Sequence, residues 1–240
     1  MSDFDGFTPA AQRFFRSLAR HNDKTWFEAN RAVYETALRG PMKALVEALD
    51  VRLAGFAPEI IGDPRRSMFR INRDIRFSKD KSPYKTNAGL WFYHQAAGRG
   101  VGQEAEGGAG FYFHLDGASS FAGGGIWMPS RPALTKIRDG IAERPAAFRR
   151  IIDAPSFRRR FGPLHDEAML TRVPRGYSPE HPAADLLRHQ SFTVGRDVSA
   201  AELASAKLVD RLARDFETAL PLIRWLNAAI GYPPARQRLP

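Results

Sequence analysis

Apolar residues near the start of the chain recur at the spacing of an α-helix. Thr8-Pro9 supplies a cap and a proline at the first helical position, and Phe14, Phe15 and Leu18 follow on one stripe. Asn22-Asp23 predicts the end of that helix and the cap of a second one carrying Trp26, Phe27 and Tyr34. Gly40-Pro41 predicts a further break, before a third helix with Leu45, Val46, Leu49 and Leu53 on one face. The aromatic residues follow these stripes and therefore read as core.

After the punctuation of Gly62-Asp63-Pro64 the period changes. From Phe69 to Phe77 the odd positions are Phe, Ile, Arg, Ile and Phe, and the even positions from Arg70 to Arg76 are Arg, Asn, Asp and Arg. Alternation of this kind predicts a half-buried strand with Arg70, Asn72, Asp74 and Arg76 on its polar face. A turn at Ser78–Pro83 and further strands at Lys85–Tyr93, Phe111–Leu115, Ser119–Met128 and Ser191–Val194 are expected. Between them, the glycine-rich stretch Ala96–Gly110, with Gln103, Glu104 and Glu106, reads as a mobile hairpin loop. Gly123-Gly124-Gly125 inside a strand predicts a bulge, or a close approach of backbone or ligand.

From Pro132 onward helical patterns return, at Pro132–Gly140, Arg144–Ile152 and Ala183–His189. Ser199 and Glu202 form a capping box expected to open the longest helix, and Pro221 is expected to break or kink it before Leu222–Ile230. Helices, then strands, then helices specify an α+β fold: a central, mostly antiparallel sheet flanked by N-terminal and C-terminal helices. No linker interrupts the pattern, so residues 1–240 are expected to form one domain.

Composition narrows the chemistry. The chain has no cysteine, which excludes disulfides, thiolate catalysis and Cys-ligated metal centres. No apolar run approaches a membrane span, and the acidic start lacks the apolar core of a secretory signal, so no membrane association and a cytoplasmic location are expected. The net charge is +10, and the segment from Arg65 to Lys85 carries +6 of it, with eight basic residues against Asp74 and Asp80. Arginine presents a planar fork of donors that matches phosphate or carboxylate oxygens, and lysine adds a point charge.

The candidate ligand-binding residues are therefore Arg70, Arg73, Arg76, Lys79, Lys81, Tyr84 and Lys85. Asp74 is suited to orienting the guanidinium groups beside it. Arg73 falls on the apolar face and needs a buried partner, Asp116 or Glu28 being candidates, or else a ligand. Tyr84, behind the rigid Pro83, suits a stacking role or a place at a sheet edge. Weaker catalytic candidates are Asp74 and the pair His114 and Asp116, two apart on one strand face. The six histidines include no His-x-His or His-Glu-x-x-His spacing, and no phosphate loop or nucleophile elbow is present, so no metal site or cofactor is assigned. Arg144, Arg149, Arg150, Arg158, Arg159 and Arg160 form a second basic cluster, either a solvated face or part of a nucleic-acid track.

The string Arg73–Asn87, RDIRFSKDKSPYKTN, resembles the signature of the family called domain of unknown function 2461. So do Asn22–Phe27, Phe113–Met128, Pro174–Tyr177 with Leu186–Phe192, and Pro221–Asn227, in the same order. The resemblance implies one domain and a shared site, and carries no activity with it. From the residues, the leading expectation is an anion-binding domain with a basic cleft for a phosphorylated small molecule or a nucleic-acid backbone. An enzyme acting on phosphate esters, metal-assisted or acid–base, and a non-catalytic interaction module with structural arginines are the alternatives. The oligomeric state is left open.

Overall fold

A computed structural model describes residues 4–76, 79–102 and 107–235. Helices α1 (Pro9–Leu18), α2 (Lys24–Ala29), α3 (Arg31–Tyr34) and α4 (Gly40–Phe56) come first, followed by strands β1 (Ile60–Ile61), β2 (Asn87–His94), β3 (Gly110–Asp116) and β4 (Phe121–Ile126). Then come α5 (Arg131–Glu143), α6 (Pro145–Ile152), α7 (Pro155–Phe161), α8 (Ala184–Leu187), β5 (Phe192–Asp197), α9 (Ala200–Leu203) and α10 (Leu208–Ala229). The five strands form one antiparallel sheet in the order β1-β2-β3-β4-β5. The α+β architecture expected from the order of elements is the one observed.

Alternation along the strands divides the sheet into two unlike faces. Leu90, Phe92, Phe111, Phe113, Leu115, Ala122, Phe192 and Val194 point to one side and are buried. There α10 lies across β4, with Phe216 stacked on Phe111 at 4.4 Å. Gly124 makes this approach possible: a Cβ at that position would stand 3.1 Å from Ile223 Cδ1 and 2.9 Å from Gly110 O. At the other end of the helix, Asn227 is buried and mimics a strand. Its Oδ1 accepts from the Ala109 amide at 2.7 Å, and its Nδ2 donates to the Ala109 carbonyl at 3.0 Å.

The opposite face, carrying Asn87, Gly89, Trp91, Tyr112, His114, Phe121, Gly123, Gly125, Thr193, Gly195 and Asp197, bears the candidate site.

Several expected boundaries move. Gly40-Pro41 does not end a helix: α3 passes through a π turn at Glu35–Arg39 directly into α4. Pro41 lacks an amide hydrogen, and its ring crowds the carbonyls one turn back; a wider turn just before it absorbs both effects. The Ser199–Glu202 capping box is present but opens only the single turn α9. Helix α10 starts afresh at Leu208 and runs through Pro221. Phe216, Ala219 and Leu220 before the proline and Leu222, Ile223 and Leu226 after it are all buried, so packing on the sheet holds both halves in one helix. The glycines of β4 pair in unbroken register on both sides, without a bulge.

Candidate functional site

The arginine-rich segment is an irregular edge to the sheet rather than a strand. The Phe69 amide donates to Gly89 O at 3.1 Å, Lys85 N to Ile71 O at 2.8 Å and Arg73 N to Pro83 O at 2.8 Å. Isolated bridges at Met68–Leu90 and Asn72–Tyr84 differ by two in register, so the ladder is interrupted between them. The expected alternation is seen as far as Arg73, with Ile71 buried and Arg70 and Asn72 exposed. Beyond it Asp74, Ile75 and Arg76 are all exposed, because the chain has left the sheet. Phe77 and Ser78, with the start of the expected turn, lie outside the described residues, as do Gln103, Glu104 and Glu106.

A groove of about 910 Å³ lies over the open sheet face. Its floor is Gly123, Gly125 and Gly195 with Thr193, and Gly89 extends it toward β2. Gly123 faces Gly195 directly across β4 and β5, so no side chain rises there. Phe69, Arg73, Lys85 and Asn87 form one wall, and Val101 and Trp127 close one end. The far wall is the segment carrying His165 and Glu167, tied to β5 by His165 N donating to Thr193 O at 2.9 Å. Trp91, Tyr112 and Phe121 add aromatic surface.

Two tryptophans stand out. Trp91 is only 6% exposed, and its indole Nε1 has no hydrogen-bond partner among the described residues. A buried donor left in this state lacks its usual compensation, and it belongs to a groove-lining side chain. Trp127 is 58% exposed at the rim. The next residue, Met128, has a positive φ of 42°, the sole non-glycine instance among the described residues, and its amide donates to Ser191 Oγ at 2.9 Å. Residues held in sparsely populated backbone regions cluster at functional sites.

The structure separates the basic candidates into two groups. Arg76 is held by Asp74 through Nε at 3.0 Å and Nη2 at 2.7 Å, and Arg70 reaches the same carboxylate at 3.7 Å. The bonds from Arg76 hold the Asp74 carboxyl well below the usual carboxylate range, so it orients arginines and is a poor proton acceptor. Arg73 pairs with Asp80 at 3.1 Å, not with Asp116 or Glu28. Lys81 donates to Ile75 O at 2.8 Å, and Lys79 is exposed. Tyr84 lies in the core, stacked on Phe27 with ring centroids 4.1 Å apart, and its backbone is gripped on both sides by the Asn22 amide. It does not line the groove.

Lys85 differs from these. It is half-buried, has no carboxylate partner among the described residues, and lies 5.5 Å from the centre of the Phe69 ring. Burial, together with Arg70, Arg73 and Arg99, lowers its pKa. Arg99 stands over the same ring at 5.3 Å. Its Nη2 reaches Met68 O at 3.4 Å, and its buried Nε is unpartnered. Sequence reasoning passed over Arg99 because it sits in a glycine-rich stretch of no regular pattern; only the fold returns it to Phe69.

Among the weaker candidates, Tyr112 Oη and His114 Nδ1 are 3.2 Å apart, and His114 Nε2 is 3.6 Å from Asp116 Oδ2. Burial pushes the Tyr112 phenol up to about 12 and lowers the His114 imidazole. Asp116 also accepts from the amides of Ala118 and Ser119, each at 2.6 Å, and so fastens the β3–β4 turn. Among the described residues no group of three or more His, Cys, Asp or Glu side chains is placed to hold a metal ion. In the second basic cluster, Arg149 pairs with Asp185, Arg158 with Asp153 and Arg160 with Asp215, so much of it is structural. No helix among the described residues is long and apolar enough to cross a membrane.

The histidines give a pH prediction. His94, His114 and His189 each have a pKa lowered by burial, so they remain neutral in the folded protein where the unfolded chain, near pH 6.5, takes up protons. The unfolded state then binds more protons, and stability falls as the pH drops below about 6.5 until it passes the lowered folded-state values. The urea midpoint is expected to be lower at pH 5.5 than at pH 7.5. An equal or higher midpoint at pH 5.5 would contradict the burial effect.

The fold and groove define an α+β protein whose sheet is covered by helices on one side and open on the other. Residues 10–225 match the family described as a conserved hypothetical protein, DUF2461, and the chain belongs to that family. Comparison with curated proteins finds no match.

Proposed function

We propose that this protein binds an organic anion bearing a planar ring, of the nucleotide class, in the groove over the open sheet face. The observation that carries the reading is the pair Lys85 and Arg99, two cations on one phenylalanine ring with no carboxylate partner among the described residues. Like charges held together and partly dehydrated are costly, and an anion between them relieves that cost. Arg73, paired with Asp80, stands beside Lys85 on the groove wall. The glycine floor admits a flat group, and Trp127 and Phe69 offer stacking surfaces. A groove of this volume is within the ordinary range for small-molecule sites. In this reading Arg70 and Arg76, already neutralised by Asp74, are less important than Lys85 and Arg99.

Thermal shift with the four ribonucleoside triphosphates, ribose 5-phosphate and inorganic phosphate tests it. At about 100 times its dissociation constant a ligand adds roughly 2.7 kcal/mol. For a chain of this size that corresponds to about 5–10 °C. At least one nucleotide is expected to shift the midpoint, with ribose 5-phosphate and inorganic phosphate weaker. Lys85→Ala with Arg99→Ala is expected to abolish the shift while leaving the unliganded protein no less stable, because the repulsion is gone. A flat panel rejects the reading. A double variant that unfolds more easily, and binds as before, assigns the two cations a structural role instead.

A further inference from the structure

We propose that the natural ligand is single-stranded nucleic acid, which rests on the nucleotide reading above and extends it from one unit to a chain. The reason is a second groove. A depression of about 920 Å³ lies on the outer side of the arginine-rich edge, and Phe69 lines both it and the sheet-face groove. A single nucleotide at Lys85 and Arg99 leaves this second groove unexplained. A chain that lays a base on the sheet face and crosses the Phe69 ring enters it directly.

The second groove has the character of a backbone path rather than a base pocket. Arg39, Lys43, Arg65 and Arg70 line it, whereas the tryptophans lie in the first groove. It also contains Glu35, Glu47 and Asp63. Each of these is already engaged: Glu35 with Arg39 at 3.0 Å, Glu47 with Lys43 at 3.8 Å, and Asp63 with the Arg65 amide at 2.7 Å. The two ion pairs are solvent-accessible and therefore weak, so Arg39 and Lys43 are free to turn toward phosphates. Aromatic and glycine surface for bases leads into a channel where four cations stand among three carboxylates, and single-strand binders combine stacking rings with cations in this way. A duplex keeps its base faces stacked on one another and cannot lay them on the sheet.

The test is fluorescence anisotropy with a labelled twelve-nucleotide single strand, as RNA and as DNA, against the same sequence as a duplex. Unlabelled mononucleotides compete. The single strand is expected to bind at least tenfold tighter than any mononucleotide and than the duplex. The triple variant Arg39→Ala, Lys43→Ala, Arg65→Ala alters exposed side chains only, and should keep its fold by circular dichroism. It should lose at least tenfold in affinity for the strand, with less than twofold change for the mononucleotide. Its salt slope should also fall by about two, three phosphate contacts at ~0.7 each. A strand that binds no tighter than a mononucleotide overturns the proposal and leaves the groove reading intact, as does a triple variant that binds the strand normally. If neither strand nor mononucleotide binds, both readings fall.

Discussion

Asp215→Ala is expected to destabilise the protein by about 3–5 kcal/mol, the range for removing one partner from a buried charge cluster. Asp215, on α10, is fully buried. Arg196 on β5 donates to its Oδ2 at 2.7 Å, and Arg160 on α7 donates to its Oδ1. One carboxylate thus fastens the last helix to the last strand and to a short helix beside it. Burial pushes the Asp215 pKa up, and the two guanidiniums work against that push. Removing the carboxylate leaves Arg196, 13% exposed, with only Glu202 at 3.0 Å as counter-ion, while Arg160, 38% exposed, can turn to water. Replacing Arg160 should therefore cost much less than replacing Asp215. Urea denaturation of Asp215→Ala and Arg160→Ala measures both. Equal small losses, each below about 1 kcal/mol, would mean that water already reaches the cluster.

This cluster also shows where the sequence stops being readable. Arg160 belongs to a run of basic residues that looks from the sequence like a solvated face or a nucleic-acid track. Its partner stands 55 residues away in a helix whose buried stripe is apolar apart from Asp215 and Asn227. No periodicity marks such a pairing. Strand positions, by contrast, were largely legible: β3 buries alternate residues, and β2 and β4 read as short apolar or glycine-rich runs bounded by turn signals. The exceptions have local causes. The polar alternation through Arg70 and Asn72 stops at Arg73, where the segment leaves the edge of β2 and loses the partner that sustains it. At Gly40-Pro41 a π turn keeps the helix continuous, which residue propensity alone does not anticipate.

For the site, the sequence located the basic edge but not the groove. Arg73 and Lys85 line it, whereas Tyr84, from the same turn, is committed to Phe27 in the core. Which of two neighbouring side chains turns inward depends on the Asn22 clamp, a contact across 62 residues. The floor needed the register as well. Three consecutive glycines in β4 signal a close approach, but only the pairing of Gly123 with Gly195 shows that two strands lack side chains at the same point.

That pairing supports the second large effect. Gly123→Ala and Gly195→Ala are expected to behave oppositely although the residues are cross-strand partners. A Cβ at Gly123 would lie 1.9 Å from Val194 O and 2.7 Å from the Gly195 Cα, both backbone atoms that cannot move aside without breaking the β4–β5 pairing. The substitution should cost several kcal/mol, about 3 or more, in the manner of an overpacked core. Fold and binding should disappear together. At Gly195 a Cβ would meet Ala122 O at 3.3 Å, a contact that asks the backbone to give by only a few tenths of an ångström, and the exposed His165 ring at 3.4 Å, an ordinary contact. The lower entropy of the unfolded alanine chain offsets part of that crowding, so stability should change by less than about 1 kcal/mol. The added methyl would nevertheless stand on the groove floor. A flat ring lying there would be lifted or displaced, and nucleotide affinity should fall about tenfold, or ~1.4 kcal/mol. Urea denaturation and nucleotide titration of the two variants separate the effects. A Gly195→Ala protein with wild-type stability and undiminished nucleotide affinity would show that the ligand does not rest on the glycine floor, and would move the site to Lys85, Arg99 and the Phe69 ring alone.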